Sequence, residues 1–254
     1  MPDAPGPGAL REVRNRRGQR LDLAFHPAPG AGTVALIAHG ITSNKDRPYL
    51  VQIAEAAAGA GVAAVRFSFA GNGRSEGRFE DSTPSAEVED LGALIDAARA
   101  AGFTRVACVG HSLGGAVGLL RAARDERVSA LVSLAGMVHV AEFMQRVFPG
   151  LRPGEPMRGR AECPWSAELG ADAARIGSLL PQAAAVRVPW LLVHGTADEI
   201  VPPRDSLDAR AAAGGRPELV ELPGADHVFS GVSTEVAGLV ARWLAALEPD
   251  SRGR

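Results

Sequence analysis

The stretch Val106 to Gly118, VACVGHSLGGAVG, limits the fold of this chain more than any other. A β-branched, apolar run (Val106, Ala107, Cys108, Val109) stops at Gly110. His111, Ser112, Leu113, Gly114 and Gly115 follow, and a small-residue segment of helical character comes next. That order predicts a strand, a sharp turn and a helix, with a serine at the tip of the turn. The pattern Gly110-x-Ser112-x-Gly114 suits such a turn physically. A serine there takes a strained backbone conformation, and neighbours without a Cβ let strand and helix close around it. The pattern is short, and alone it also fits a glycine-rich turn ahead of a packed helix.

The rest of the chain supplies context. Its 254 residues, 46% of them hydrophobic, suffice for one α/β domain with an insertion and a large core. A formal net charge of −2 leaves no electrostatic footprint for nucleic acid or an anionic membrane surface. No apolar run approaches a membrane span, and the Pro/Gly-rich start lacks an apolar signal core, so the expected compartment is the cytoplasm. Cys108 and Cys163 have no C-x-x-C partner, which argues against a disulfide framework or a zinc site. No ligand spacing suggests a metal, and the glycine loop Gly71–Gly77 lacks the Gly-Lys-Ser/Thr of a phosphate cradle. No cofactor is expected.

Taken in order, residues 1–9 read as a disordered tail and 249–254 as a flexible C-terminus. Two alternating runs, Leu10–Arg14 and Arg20–His26, read as an antiparallel hairpin. Buried strands are expected at Thr33–Ala38, Val62–Phe69, Val106–Gly110, Val128–Leu134 and Pro189–His194, with a last short one at Glu218–Leu222. Helices are expected at Arg47–Ala60, Glu87–Ala101, after Ser112 to about Arg124, and Thr234–Leu247. This alternation predicts a mostly parallel sheet with helices on both faces. One long connection breaks it, with helical character at Met137–Phe148, an irregular Pro149–Pro164 and a second helix at Ser166–Leu180. The expected organisation is a core at residues 10–136 and 183–248 with a small helical cap at 137–182.

In such a sheet the working groups sit on loops past the C-terminal strand ends. Those loops offer His39-Gly40-Ile41, Ser112, Asp198 and the pair Asp226-His227. The order Ser112, Asp198, His227 is that of a serine nucleophile, an orienting acid and a base. A serine hydroxyl is a poor nucleophile until a neutral histidine takes its proton, and a carboxylate fixes the histidine tautomer. The oxyanion needs fixed donors, for which the backbone N–H groups of Ile41 and Leu113 stand in the right loops. Asp226 adjoins His227, but consecutive residues rarely face each other, so Asp198 is preferred. His39 and His194 read as loop supports, and His111 is expected to point away from substrate. Glu199 and Asp205 read as solvated surface acids, and His26 and His139 belong to no constellation.

The segments His39 to Lys45, Phe67 to Gly77, Gly110 to Gly115, His194 to Pro202 and Gly224 to Phe229 together resemble an α/β-hydrolase of the serine-hydrolase type. They are most similar to its cinnamoyl/feruloyl-esterase-like and serine-aminopeptidase-like branches. The resemblance spans about residues 10 to 247. It implies an eight-stranded sheet and the triad Ser112, Asp198 and His227. One departure is Ser68, which stands where the family loop often carries aspartate.

The expected activity is cleavage of a small-molecule carboxylic ester through an acyl-enzyme. A peptidase, an acyl thioesterase and a non-catalytic ligand- or partner-binding member of the fold remain open. The cap offers apolar and aromatic side chains without a charge cluster, and Phe143, Phe148 and Trp165 are its candidate substrate contacts. An aminopeptidase would need an acid for the substrate's amino terminus; Glu142, Glu155, Glu162 and Glu168 are available.

Overall fold

Strand residues that alternate between two faces must be covered on both, and this chain covers them with helices. The computed structural model describes residues 10–247, so the tail at 1–9 and the C-terminus at 249–254 lie outside the described residues. Eleven strands and eight α-helices follow one another: β1 (Val13–Arg14), β2 (Arg20–Leu21), β3 (Leu23–His26), β4 (Thr33–Ala38), α1 (Pro48–Gly59), β5 (Ala63–Phe67), α2 (Pro84–Ala100), β6 (Arg105–His111), α3 (Leu113–Ala122) and β7 (Val128–Leu134). The long connection holds α4 (Val140–Val147), β8 (Pro156–Met157), β9 (Arg160–Pro164), α5 (Ala167–Ile176) and α6 (Leu180–Ala185). The chain ends with β10 (Trp190–Gly195), α7 (Arg204–Ala212), β11 (Glu218–Leu222) and α8 (Ser233–Ala246).

The main sheet runs β11-β10-β7-β6-β4-β5-β3, parallel throughout except for the antiparallel edge strand β3. Along β4, Val34, Leu36 and Ala38 pack into the core beneath α2 and α3, while Ala35 and Ile37 pack into the opposite core beneath α1 and α8. All six β4 residues are buried, which is why the strand reads as a continuous apolar run. Each fully buried aliphatic side chain contributes roughly 1.5–3 kcal/mol.

The sheet has seven strands, not the eight that the resemblance implies. β1 and β2 pair only with each other, as a separate ribbon. Asn15, in its turn, donates to Asp90 of α2 at 2.7 Å, so the ribbon is fastened to a helix and leaves the sheet edge to β3. The hairpin at residues 10–26 is therefore split, and only its last four residues join the sheet.

Other boundaries shift for local reasons. α2 starts at Pro84, earlier than Glu87, because the Thr83 hydroxyl accepts from Ala86 N–H and proline suits the first helical position. The expected helix at 166–180 stops early, at Ile176, where Gly177 turns the chain at positive φ, and the unexpected α6 begins at Leu180. The irregular stretch 149–164 contains the antiparallel ribbon β8–β9. α7 has no counterpart among the expected helices: its sequence, Arg-Asp-Ser-Leu-Asp-Ala-Arg, carries little apolar periodicity. Among the described residues no helix is long and apolar enough to cross a membrane.

Candidate active site

Close packing of backbone positions Ser112. A Cβ on Gly110 would lie 2.1 Å from the Gly114 carbonyl oxygen, and one on Gly114 would lie 2.5 Å from that of His39. Both glycines are thus required by the approach of β6, α3 and the loop after β4. Ser112 has φ 56° and ψ −118°, a conformation that costs a residue with a side chain about 1–3 kcal/mol. Its N–H donates to Leu134 O at 2.9 Å, which ties the turn to β7.

Past β10, a second tight approach sets the acid beside the base. A Cβ on Gly195 would lie 2.2 Å from Ala225 O, so the loops after β10 and β11 touch. Across that contact His227 Nδ1 donates to Asp198 Oδ2 at 2.8 Å. In a neutral ring this leaves Nε2 as the lone-pair nitrogen. Asp198 Oδ1 accepts the N–H groups of Ile200 and Val201, both at 2.9 Å. Burial works to raise the Asp198 pKa; hydrogen bonds from His194 and His227 outweigh it and hold the carboxyl well below the usual range. Asp226 instead receives the N–H groups of Val228 and Ser230 and shapes the turn.

The other histidines hold the scaffold. His39 donates through Nδ1 to Gly40 O and accepts Phe69 N–H at Nε2; burial pushes its pKa down to about 4. His194 lies between Ser206 Oγ and Val201 O, with Asp198 Oδ2 3.3 Å away. His111, expected to point away from substrate, instead borders the same cavity as Ser112 and His227. Its Nε2 donates to the His227 carbonyl at 2.8 Å, so Nδ1 accepts from the Tyr49 hydroxyl at 3.0 Å. Burial, then the charge of His227, push the His111 pKa down to about 3, which keeps that tautomer neutral. The only tyrosine of the chain thus braces the loop that carries His227. Asp205 is buried, contrary to its reading as a solvated acid, and accepts the N–H groups of Val138 and His139. Ser68 is buried too; its hydroxyl accepts Lys45 N–H, and a Cβ on Gly73 would meet it at 2.6 Å.

Ser112, His227, Ile41 and Phe143 line one cavity of about 350 Å³. Leu113 begins α3 directly after Ser112, so its N–H is a helix-terminal donor. Gly40, before Ile41, would meet the Ser112 Cβ at 2.9 Å if it carried a Cβ of its own, which sets that loop against the serine. Phe148 and Trp165 do not line this cavity. They border a second one of about 390 Å³ and pack on each other, with ring centroids 5.9 Å apart. Glu142, Glu155, Glu162 and Glu168 are also absent from the lining of the Ser112 cavity.

Charge enters the cavity from residues that sequence reasoning missed: Arg47, Arg158 and Arg160. The connection therefore does contribute charge, against the expectation of a cap without a charge cluster. The only signal for it was the dipeptide Arg158-Gly159 between two strand-like runs, which is weak. Backbone strain marks the same cavity. Of the five non-glycine residues with positive φ among the described residues, four (Thr42, Ser112, Arg158 and Phe229) line it. Such strain gathers where surrounding structure holds residues for a task. Among the described residues no group of three or more His, Cys, Asp or Glu could hold a metal ion, and both cysteines are buried free thiols.

Comparison with known proteins agrees with this architecture. "Putative carbamate hydrolase RutD" of Klebsiella pneumoniae (strain 342) is 36% identical over 130 residues, 51% of this chain; the match spans 47%, about half, of that relative's length. The solved structure of Est1E from Butyrivibrio proteoclasticus with ferulic acid bound superposes with a TM-score of 0.83 at 25% identity, covering 92% of this chain and 98% of that one. The esterase domain of a Rhodothermus marinus protein superposes with a TM-score of 0.68, also at 25% identity, covering 92% and 96%. The family model described as "Alpha/beta hydrolase family" matches residues 34–242, and the chain belongs to that family.

Proposed function

We propose that this chain is a serine hydrolase that cleaves a carboxylic ester through an acyl-enzyme. The observation that carries the reading is the 2.8 Å hydrogen bond from His227 to the buried Asp198, on a ring that shares one cavity with the strained Ser112. His227 Nε2 takes the Ser112 hydroxyl proton as Oγ attacks the ester carbonyl. The N–H groups of Ile41 and Leu113 receive the oxyanion, assisted by the N-terminus of α3. His227 then gives the proton to the departing alkoxide, and the Ser112 ester is hydrolysed by water in the reverse sense. Asp198 stays ionised and stabilises the imidazolium.

Names of similar proteins support an acyl-transfer substrate, since esters and carbamates both present a carbonyl with a leaving group. Among the described residues no carboxylate lines the cavity, which favours an ester over an aminopeptidase substrate, whose ammonium would need one. We read residues 137–182 as a cap that sets specificity over a core of residues 10–136 and 183–248, because Phe143, Arg158 and Arg160 reach the cavity from it.

A fluorophosphonate probe tests the reading. The native protein should be labelled at Ser112 and Ser112→Ala should not. Hydrolysis of p-nitrophenyl acetate should fall by about 10⁴-fold or more in Ser112→Ala and His227→Ala. Labelling at another residue, or undiminished turnover in either variant, would reject it.

A further inference from the structure

We infer that the ester taken by this site carries a carboxylate, held by Arg158 of the β8–β9 turn and Arg160 of β9 together with Arg47, the residue before α1. The inference rests on the hydrolase reading of the same cavity and names its substrate class. Three arginines line one cavity whose lining, among the described residues, includes no aspartate or glutamate. Among the described residues none of the three makes an ion pair, whereas the cations behind the site do: Lys45 meets Asp22 and Asp46, and Arg66 meets Asp46. Like charges converging without a counter-ion repel, and a fold has no reason to assemble them unless an anion arrives.

Local geometry supports the assignment. Arg160 Nη1 donates to Thr42 O at 3.1 Å, which fixes the arginine against the loop carrying Ile41 and leaves its other N–H donors unspent. Arg47 Nε donates to Ser43 Oγ at 2.9 Å, leaving its terminal nitrogens for a ligand. A planar guanidinium edge of this kind matches a carboxylate with two parallel hydrogen bonds. Arg158 sits at φ 52° in the two-residue turn Arg158-Gly159, where glycine or asparagine would be unstrained. Arg158 is exposed, yet partial burial of its side chain and then repulsion by Arg160 lower its pKa from the ordinary arginine value. The lining also brings apolar side chains, among them Ile41, Phe143, Ile200 and Val228, beside the polar Thr42, Ser43, Ser230 and Ser233. The cavity thus suits an apolar body with one anionic end.

The test uses two pairs of esters in which a free carboxylate is exchanged for its methyl ester. One pair is 4-acetoxybenzoate and its methyl ester, with the carboxylate on the leaving group. The other is mono-4-nitrophenyl terephthalate and its methyl ester, with the carboxylate on the acyl part. The ratio of kcat/KM for charged over neutral ester is internal to each preparation, so loss of folded protein cancels. It should exceed one in at least one pair and fall by about tenfold in Arg158→Gln and Arg160→Gln, with partial recovery in Arg158→Lys. A ratio below one in both pairs, or one unmoved by both glutamine variants, would overturn the inference while Ser112-dependent hydrolysis of the neutral esters left the hydrolase reading standing. Calorimetry of terephthalate and its diamide with Ser112→Ala separates the reverse case. Tighter binding of terephthalate that weakens in the double variant Ser112→Ala, Arg158→Gln supports the anion site even if no ester is turned over. Equal binding of acid and diamide, or tighter binding of phenyl phosphate than of terephthalate, overturns the carboxylate assignment.

Discussion

At the C-terminal edge of the sheet, Ser112, Asp198 and His227 stand one, three and five residues past the ends of β6, β10 and β11. The connection between β7 and β10 reaches the same cavity differently, through α4 and through a two-residue turn in a ribbon that joins no other sheet. The first region is positioned by parallel strand ends and by glycines that let backbones touch. The second is positioned by side-chain packing and by single hydrogen bonds, such as Arg160 to Thr42 and Asp205 to Val138 and His139. On the proposed function, the reacting groups fall where the geometry is stiff, and the groups that set selectivity where substitutions are accommodated more readily.

If that contrast holds, the largest effects of substitution belong to the sheet edge. Gly110→Ala should remove activity by about 100-fold or more, because the 2.1 Å overlap with Gly114 O must displace the turn that carries Ser112. Its stability should drop by at least about 2 kcal/mol in chemical denaturation. A variant with normal turnover would break the argument for a stiff edge. In the connection, Phe148→Ala should cost about 3 kcal/mol or more of stability, since Phe148 is 5% exposed and packed among Phe143 and Trp165. Its ester preference should change little, whereas Phe143→Ala should lower kcat/KM through the cavity wall. Equal shifts in preference would show that the second cavity communicates with the first.

Tyr49→Phe sharpens the comparison on the core side. It strands the buried His111 Nδ1, at a cost of about 1–3 kcal/mol, and loosens the brace on the His227 carbonyl. We expect kcat to fall by about tenfold with KM less affected; a KM change alone would assign Tyr49 to the cavity wall only.

The smallest effect on activity concerns the seam between the two regions, where Asp172 of α5 accepts Ser85 N–H and Oγ–H of α2, both at 2.8 Å. Glu87 is buried there with its pKa pushed up to about 8, first by burial and then by Asp90 and Asp172, against the hydrogen bond from Ser82. Its raised folded pKa means that the folded state holds the proton. The stabilisation is complete below about pH 4.5, declines as pH rises and is lost above about pH 8. Glu87→Gln, an isostere of the protonated acid, should match the native protein at acid pH. It should exceed it on the order of a few kcal/mol above pH 8, as read by denaturant midpoints across pH. Parallel pH curves for the two proteins would refute a protonated Glu87.

The same contrast explains what the sequence discloses. β4 and β7 coincide with their expected bounds because a strand buried on both faces is a continuous apolar run ended by turn residues. β11 also keeps its bounds, although it is a largely exposed or half-buried edge strand, because turn residues flank it on both sides. Ser112, Asp198 and His227 are legible because each follows a strand that the sequence marks. The β8–β9 ribbon and α7 are not, since short and largely polar elements gain their order from tertiary contact rather than from periodicity. Arg47 and Arg158 are over a hundred residues apart in sequence, and nothing local to either announces that they share a cavity. Phe148 and Trp165 illustrate the converse: an aromatic residue in a cap looks like a substrate contact until packing turns it inward.

A crystal structure of the protein inactivated by a fluorophosphonate tests the central claim most directly. Phosphorus should be bonded to Ser112 Oγ, with the phosphoryl oxygen about 2.7–3.1 Å from the backbone nitrogens of both Ile41 and Leu113. Phosphorus on another residue, or an oxygen turned away from those two N–H groups, would contradict it.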